Sequence, residues 1–430
     1  MMGTNMKLRN KAVSVATGLA LCFAASSAQA QNTVNTAVDW STGSPRWTSD
    51  DGQFQFKLRG RLMADAYSID ADFGGTARDA SYSGFGTRRA RLGVDGKFNE
   101  VFKFRAEATF LGSAATWEDI YLEYAPNGMS VFVGNNYVNT TLDGLTSSTV
   151  HLTNERSLVT AAFGRASRLM GVNVRKYADN WQVTAGFYGD SINNSESNNV
   201  TETRVGELRG SYAFSAARGN IAHIGASVRY RDRNQGGALS YSARPVQTNY
   251  GTAFLNTGSI GQKDTTYGIE GLFSKGPFTA IAEYQILEAK TLTEDLSFGG
   301  GYVELSYFLT GETRGYSATS GTLSGVKPNS PLQEGGYGAW AIVGRYDKLD
   351  LSDGTLGRAI SPVAAWRTAG GEADAYSLGV LWQPTDFVIF RATYGYTDFK
   401  NTQGIDSAAA TQITGNGDAQ TFTIRTQFSF

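Results

Sequence analysis

The sequence predicts an all-β chain, a sixteen-stranded antiparallel transmembrane β-barrel, on three observations. Apolar and polar residues alternate in run after run beyond residue 53, the period of a strand with two unlike faces. Long and short connections alternate along the chain, as they do where outer loops are long and periplasmic turns short. The N-terminus carries an export signal. Composition excludes the rival classes. With 21 Tyr, 24 Phe and 7 Trp among 430 residues the chain is too aromatic for disorder, and its single Cys excludes a disulfide scaffold. Beyond the N-terminus no apolar run reaches the ~18 residues of a transmembrane helix. A net charge of -1 gives no global attraction to nucleic acid.

Residues 1–30 read as a secretory signal. Lys7, Arg9 and Lys11 precede an apolar run from Ala12 to Ala25, and Ala28-Gln29-Ala30 supplies the small residues of a cleavage site after Ala30. Met6 is an alternative start. Cys22 lies inside the apolar run with Leu21 before it, where a lipoprotein signal has a small residue, so the mature chain carries no cysteine. A retained membrane helix is the competing reading, and the run is short for it. Residues 31–53 form an N-terminal periplasmic segment and 54–430 the barrel, with no composition break to divide it.

The first strand, 54–65, sets the pattern. Phe54, Phe56, Leu58 and Leu62 share one face, and Gln55, Lys57, Arg59 and Arg61 the other. The alternation continues at 87–97, 101–111, 119–125, 129–136, 168–178, 181–189, 203–214 and 222–232. It resumes at 264–274, 277–289, 299–310, 338–350, 374–383, 386–397 and 420–430. Most of these runs are about 9–11 residues, the length of a tilted bilayer-crossing strand. Short connections such as Pro126-Asn127-Gly128 and Lys275-Gly276 carry turn residues. One connection, 311–337, is long on the side where short turns are expected. A soluble sandwich also alternates, but it has no reason to sort its loops by length. The last strand alternates aromatic residues up to the terminal Phe430, which resembles the signal read by the outer-membrane barrel-assembly machinery.

A lipid-facing Arg near the midplane costs ~2–4 kcal/mol, so the charges of these strands belong to the lumen. Parity places Arg59, Arg61, Arg89, Arg91, Lys103, Arg105, Arg209, Arg229, Arg231, Arg345, Arg391 and Arg425 there, with Glu107, Glu123, Glu207, Glu283 and Glu304. A barrel of this size is too wide for side chains to fill and leaves an aqueous channel, so passive diffusion of small hydrophilic solutes is the expected function. Two basic clusters stand out: Arg88-Arg89-Ala90-Arg91, with Arg88 expected at the strand mouth, and Arg229 with Arg231 and Arg233. Arginine stays charged and offers paired donors to phosphate or carboxylate oxygens. The competing reading is that these arginines pair with lumen carboxylates and brace the wall.

Tyr307-Phe308-Leu309-Thr310-Gly311-Glu312-Thr313-Arg314-Gly315-Tyr316 resembles the YxLTGExRxY element of the phosphate-selective porin O and P family. Gly338-Ala339-Trp340, Gly344-Arg345-Tyr346-Asp347 and Leu378-Gly379-Val380-Leu381-Trp382 are similar to its next two strands. Gly60-Arg61-Leu62-Met63-Ala64-Asp65 and Arg88-Arg89-Ala90 resemble its first two. The resemblance implies a homotrimer of sixteen-stranded barrels in outer-membrane lipid, each with an inward-folded third loop. Loop 137–167, containing Glu155-Arg156, suits that role. It also implies an anion pathway along arginines, here Arg61, Arg88, Arg89 and Arg244 by motif position, with phosphate among the small anions carried. Two departures bear on specificity. Ser242-Ala243-Arg244-Pro245-Val246 retains one arginine where phosphate-specific members have several, and Gly144 stands where those members have a phosphate-contacting lysine. These favour a moderately anion-selective or general channel.

An outer-membrane hydrolase is the rival from another class. It needs a base beside a nucleophile, and neither His151 nor His223 sits in a recognisable nucleophile motif. A gated transporter needs a plug domain and about 22 strands, whereas only 31–53 precedes the first strand. The acidic stretch Asp347 to Asp353 lacks a calcium-loop pattern and reads as solvated loop. No cofactor is expected.

Overall fold

The computed structural model describes residues 38–40, 43–74, 79–112, 114–138, 140–164, 167–194, 203–233, 239–291, 295–353, 370–406 and 411–430. The signal segment and its cleavage site lie outside them. Sixteen strands form one closed antiparallel barrel: β1 (Phe54–Asp72), β2 (Ala80–Phe98), β3 (Phe102–Thr109), β4 (Thr116–Tyr124), β5 (Met129–Tyr137), β6 (Arg168–Tyr177), β7 (Trp181–Tyr188) and β8 (Thr203–Ala217) make the first half. The second half is β9 (Asn220–Arg233), β10 (Lys263–Lys275), β11 (Phe278–Lys290), β12 (Asp295–Phe308), β13 (Ala339–Asp350), β14 (Glu372–Gln383), β15 (Val388–Asp406) and β16 (Thr411–Ser429). Each pairs with the next in sequence, and β1 pairs with β16 from Arg61↔Ser429 to Asp72↔Asp418, which closes the wall. At the lower end of this seam Gly60 and Phe430 exchange backbone hydrogen bonds. A short strand, Arg46–Thr48, continues β1's pairing below the point where β16 ends.

The alternation has the consequence expected of it. Leu62, Val133, Val172, Leu208, Ile269, Val303, Ile342, Leu378 and Ile424 are exposed on the outer face, while Glu207, Arg209, Arg345, Asp347 and Arg425 are buried on the inner one. Tyr230, Tyr267, Tyr284, Tyr346, Tyr376 and Tyr394 are also exposed, the residue type that girdles a barrel where lipid meets water. Short turns gather at one end, between β2 and β3, β4 and β5, β6 and β7, β8 and β9, β10 and β11, and β14 and β15. By the rule for such barrels this is the periplasmic end.

Three features depart from the sequence expectation. The acidic stretch Asp347 to Asp353, read as solvated loop, begins inside β13, where Asp347 is fully buried. Strands β1, β2, β15 and β16 each run 19 residues, so the connection expected at 66–86 is largely strand. Above the lipid their outward residues turn polar, as at Ser68, Asp70, Asp398 and Asp418, yet the backbone ladder continues. Arg88 is also not at a strand mouth; it stands in the middle of β2.

The lumen is partly filled by three inserted segments. The third loop, between β5 and β6, contributes two short helices, Leu142–Leu145 and Leu158–Ala162. The fifth loop, between β9 and β10, packs Tyr241, Phe254 and Leu255 against Leu158, Val159 and Phe163 of the third loop, and against Leu287, Phe298 and Leu349 of the wall. The long periplasmic connection between β12 and β13 folds upward as a small hairpin, Gly315–Ser317 with Thr322–Ser324. Its Leu323 joins Leu142 of the third loop and Ile221, Leu272 and Ile281 of the wall.

Candidate functional site

The first element of the site is an irregularity of pairing. Met63 faces Arg89 and Ala64 faces Thr87, so Arg88 is an extra residue on β2. Such a bulge re-aims a side chain, and both Arg88 and Arg89 reach the lumen beside Arg91, which faces Arg61 across the same pair of strands. A second bulge sits on the next hairpin but one. Ala106 faces Ile120 and Ala108 faces Trp117, leaving Glu118 and Asp119 opposite Glu107. Two consecutive arginines and two consecutive acids therefore enter the same stretch of lumen.

These charges interlock. Arg91 meets Glu118 at 2.6 Å and Glu107 at 3.5 Å; Arg168 meets Glu118 and Asp119, each at 2.6 Å. Arg105 bridges Asp95 at 2.6 Å and Asp119 at 3.4 Å, and Arg59 contacts Asp95 and Glu107. Arg88 holds Glu155 of the third loop through Nε and Nη2 at 2.8 and 2.9 Å. Arg425 joins the same carboxylate at 2.7 Å and is itself held by both oxygens of Asp65. Arg231 pairs with Asp264, which also accepts from the Tyr241 hydroxyl.

Other arginines serve as donors to backbone. Arg156 donates to the carbonyls of Asp143, Gly144 and Thr146, pinning the third loop to itself. Arg229 donates to Phe163 and Gly164, and Arg345 to Glu155 and Arg156. From the opposite wall, Glu270, Glu283 and Asp347 accept from the amides of Leu142, Asp143 and Leu158. The loop thus spans the lumen with both edges satisfied, as a buried backbone must be. Arg244 lies exposed in the fifth loop and donates to the carbonyl of Gly251.

Not every lumen arginine is ion-paired among the described residues: Arg391, for one, donates to Gln427 and to the carbonyl of Thr149. Arg61 donates to the Ser148 hydroxyl at 2.7 Å and Arg89 to the Met63 sulfur at 3.5 Å, and neither forms an ion pair among the described residues. Both stand where the third loop crosses β1 and β2.

Within the third loop, charge states follow from surroundings. Burial would raise Glu155, but Arg88 and Arg425 hold it well below the usual carboxylate range. Burial pushes His151 down to about 3 and keeps it neutral, while Arg156 and Arg345 hold the neighbouring Asp143 low against its own burial.

The periplasmic insertion supports the loop from below. Arg209 donates to the carbonyls of Ser320 and Gly321, His223 meets the Tyr316 hydroxyl, and Arg314 donates to the third-loop carbonyl of Val150 at 3.2 Å. A cavity of about 460 Å³ lies against the β3–β6 wall. Leu145 of the third loop and Ser320 and Thr322 of the insertion form its other side.

Sequence reasoning assigned the lumen arginines by parity and weighed carboxylate pairing as the competing reading, but it missed their partners on the third loop. Parity also passed over Glu118 and Asp119 as partners of the basic cluster. The available signal was a pair of like charges side by side within an alternating run, at 88–89 and again at 118–119, where period 2 breaks.

Comparison with known proteins adds relatives. A family model described as phosphate-selective porin O and P matches residues 56–430. An uncharacterized protein of Caulobacter vibrioides is 33% identical, over 85% of this chain and 72% of that one. Porin O of Pseudomonas aeruginosa is 27% identical over 97% of this chain and 98% of its own length. Among solved structures, the anion-selective porin from Comamonas acidovorans superposes with a TM-score of 0.57 at 11% identity, covering 88% of this chain and 100% of that one. The trimer form of OmpT from Vibrio cholerae gives 0.53 at 13% identity, with the same coverage. At such identities these two show the fold.

Proposed function

The chain belongs to the phosphate-selective porin O and P family, and on that footing we propose that the outer-membrane channel it forms passes small anions in preference to cations. The observation that carries this is the pair Arg61 and Arg89, lumen guanidinium groups without carboxylate partners among the described residues, beside the crossing of the third loop. Arg88, Arg91, Arg105, Arg229 and Arg231 share their charge with carboxylates or loop carbonyls. They brace the wall around the path and add a smaller attraction. Rings of Arg suit anion pores, and two guanidinium groups without carboxylate partners within a balanced network give a modest bias.

Phosphate is one anion of this class. Gly144 lies in the first short helix of the third loop, where its amide caps onto Thr141 and its carbonyl accepts from Arg156. That position brings no cation to a phosphate, which favours a broad anion path. The name of the Comamonas protein points the same way on charge, and the trimer form of the Vibrio protein supports a homotrimer here. Removal of residues 1–30 on export and recognition of Phe430 by the assembly machinery complete the reading.

The test is a reversal potential across a planar bilayer in a KCl gradient. A modest anion preference is expected, reduced in the Arg61→Ala, Arg89→Ala double variant. Strong cation preference in the unmodified protein would overturn the proposal.

A further inference from the structure

We propose that a small monovalent anion of chloride size is held beneath the third loop, between Arg314 of the periplasmic insertion and Arg391 of β15, as a fixed part of the folded channel. The proposal stands apart from the transport reading: this anion is one the protein keeps, away from Arg61 and Arg89.

Convergence is the first argument. In the third loop the amides of Val150 and His151 both bond the Ser147 carbonyl, which coils the chain into one helical turn with its last carbonyls pointing the same way. Arg391 donates to Thr149 of that turn and Arg314 to Val150, two consecutive carbonyls. The two guanidinium groups are thereby brought close enough to repel each other. Each residue is only 1% exposed.

Charge without a counter-charge is the second. Neither arginine forms an ion pair among the described residues, and the carboxylates around them are committed elsewhere. Glu304 faces Arg345 at 3.9 Å, and Asp65 and Glu155 hold Arg425. Donors are left over as well. Nε and Nη1 of Arg314 and Nε of Arg391 are buried without partners among the described residues. The neighbouring Leu152, Leu381 and Ile389 belong to an apolar cluster. A buried charge needs both a counter-charge and filled hydrogen bonds, and one anion supplies the two together.

Space is the third. Beside the turn lies a cavity of about 110 Å³, lined by Thr149 and Val150, whose carbonyls the arginines hold, and by Gln427, which accepts from Arg391 Nη1 at 2.9 Å. It corresponds to about four waters at ~30 Å³ each, room for one compact ion with part of its hydration. Asp386, also in the lining, pairs with Lys327 at 3.7 Å. Three donors suit a single spherical anion, whereas the four oxygens of phosphate ask for more than this site offers.

Crystals of the folded protein grown in sodium bromide test the site by anomalous diffraction. A bromide in contact with both guanidinium groups is expected. In solution, the folded barrel should lose its compact migration a few degrees lower in sodium gluconate than in sodium chloride of equal ionic strength. Gluconate is too large for the cavity, and an ion that binds only the folded state stabilises it. Arg314→Met and Arg391→Met should each remove that difference. A site that shows only water in bromide overturns the proposal. So does a bromide peak without a chloride effect on unfolding, which would be an adventitious ion only. A chloride effect that survives both substitutions has its source elsewhere in the lumen and overturns it as well. Where a variant fails to fold, the bromide peak and the salt comparison on the unmodified protein decide. The reversal potential is read separately, so failure of this site and failure of the anion-channel reading are distinguishable.

Discussion

Glu155 is a loop side chain gripped by two wall arginines, Arg88 from β2 and Arg425 from β16. Breaking a buried pair of this kind costs ~3–5 kcal/mol, against ~0–1 kcal/mol for an exposed one. Glu155→Gln is therefore expected to loosen the third loop and to give noisier single-channel currents with larger openings; a quiet, unchanged trace would argue that Arg345 and the wall carboxylates hold the loop alone. Acid should act in the same direction. Glu155, held low in the seated loop, contributes fully above the ordinary carboxylate value near 4.3, and its contribution is lost as pH falls through the lower seated value. His151 takes a proton in a released loop below about 6.5 but stays neutral in place down to about 3, so its share of the seat's stability falls over that window. Currents should be quiet at neutral pH and increasingly noisy as pH drops from about 6 to about 3.5, with His151→Gln flattening the upper part of the change. At this scale the sequence told which arginines face inward, because alternation alone decides that. It could not tell which are paired and with what, because the partner of Arg88 lies on a loop and that of Arg425 lies on the first strand.

Strand β16 shows how much an element's pattern can carry. Phe422, Ile424 and Phe428 face outward, and Thr423, Arg425 and Gln427 inward, as period 2 requires. Its end is seated on a glycine: a Cβ at Gly60 would overlap the ring of Phe430. Gly60→Val is expected to displace that ring at a cost of ~1–3 kcal/mol, as overpacking does, and to lower the heat at which the folded barrel loses its compact migration. An unaltered transition would mean that Phe430 moves aside freely. All sixteen strands were legible because each has one face that must be apolar. Their upper ends were not, since above the lipid the outward residues turn polar while the ladder continues to Asp72 and Asp418. The bulges were misread for a related reason. Arg88 breaks the alternation, and a strict count moves it to a strand end instead of admitting an extra residue.

At the scale of the molecule, the barrel is a wall whose interior is built by loops. The length of the connection 311–337 on the short-turn side was visible in the sequence, but its course into the lumen was not. A signal for it existed: Leu272, Ile281, Val343, Leu349 and Leu381 are apolar residues on the lumen face and are buried, which a water-filled channel would not favour. They receive the inserted segments. Replacing residues 312–337 with a short turn should raise single-channel conductance and weaken anion preference, because the third loop loses the support of Arg314 and Leu323. Equal conductance would place the narrowest point elsewhere. The grip on the third loop has one more consequence, which concerns time. Asp65 and Arg425 are 360 positions apart and Arg425 and Glu155 are 270, so this anchorage exists only after the two ends of the wall have met. Contacts of such long range form late. A half-built barrel thus has strands but no filter, and selectivity appears as the product of closure.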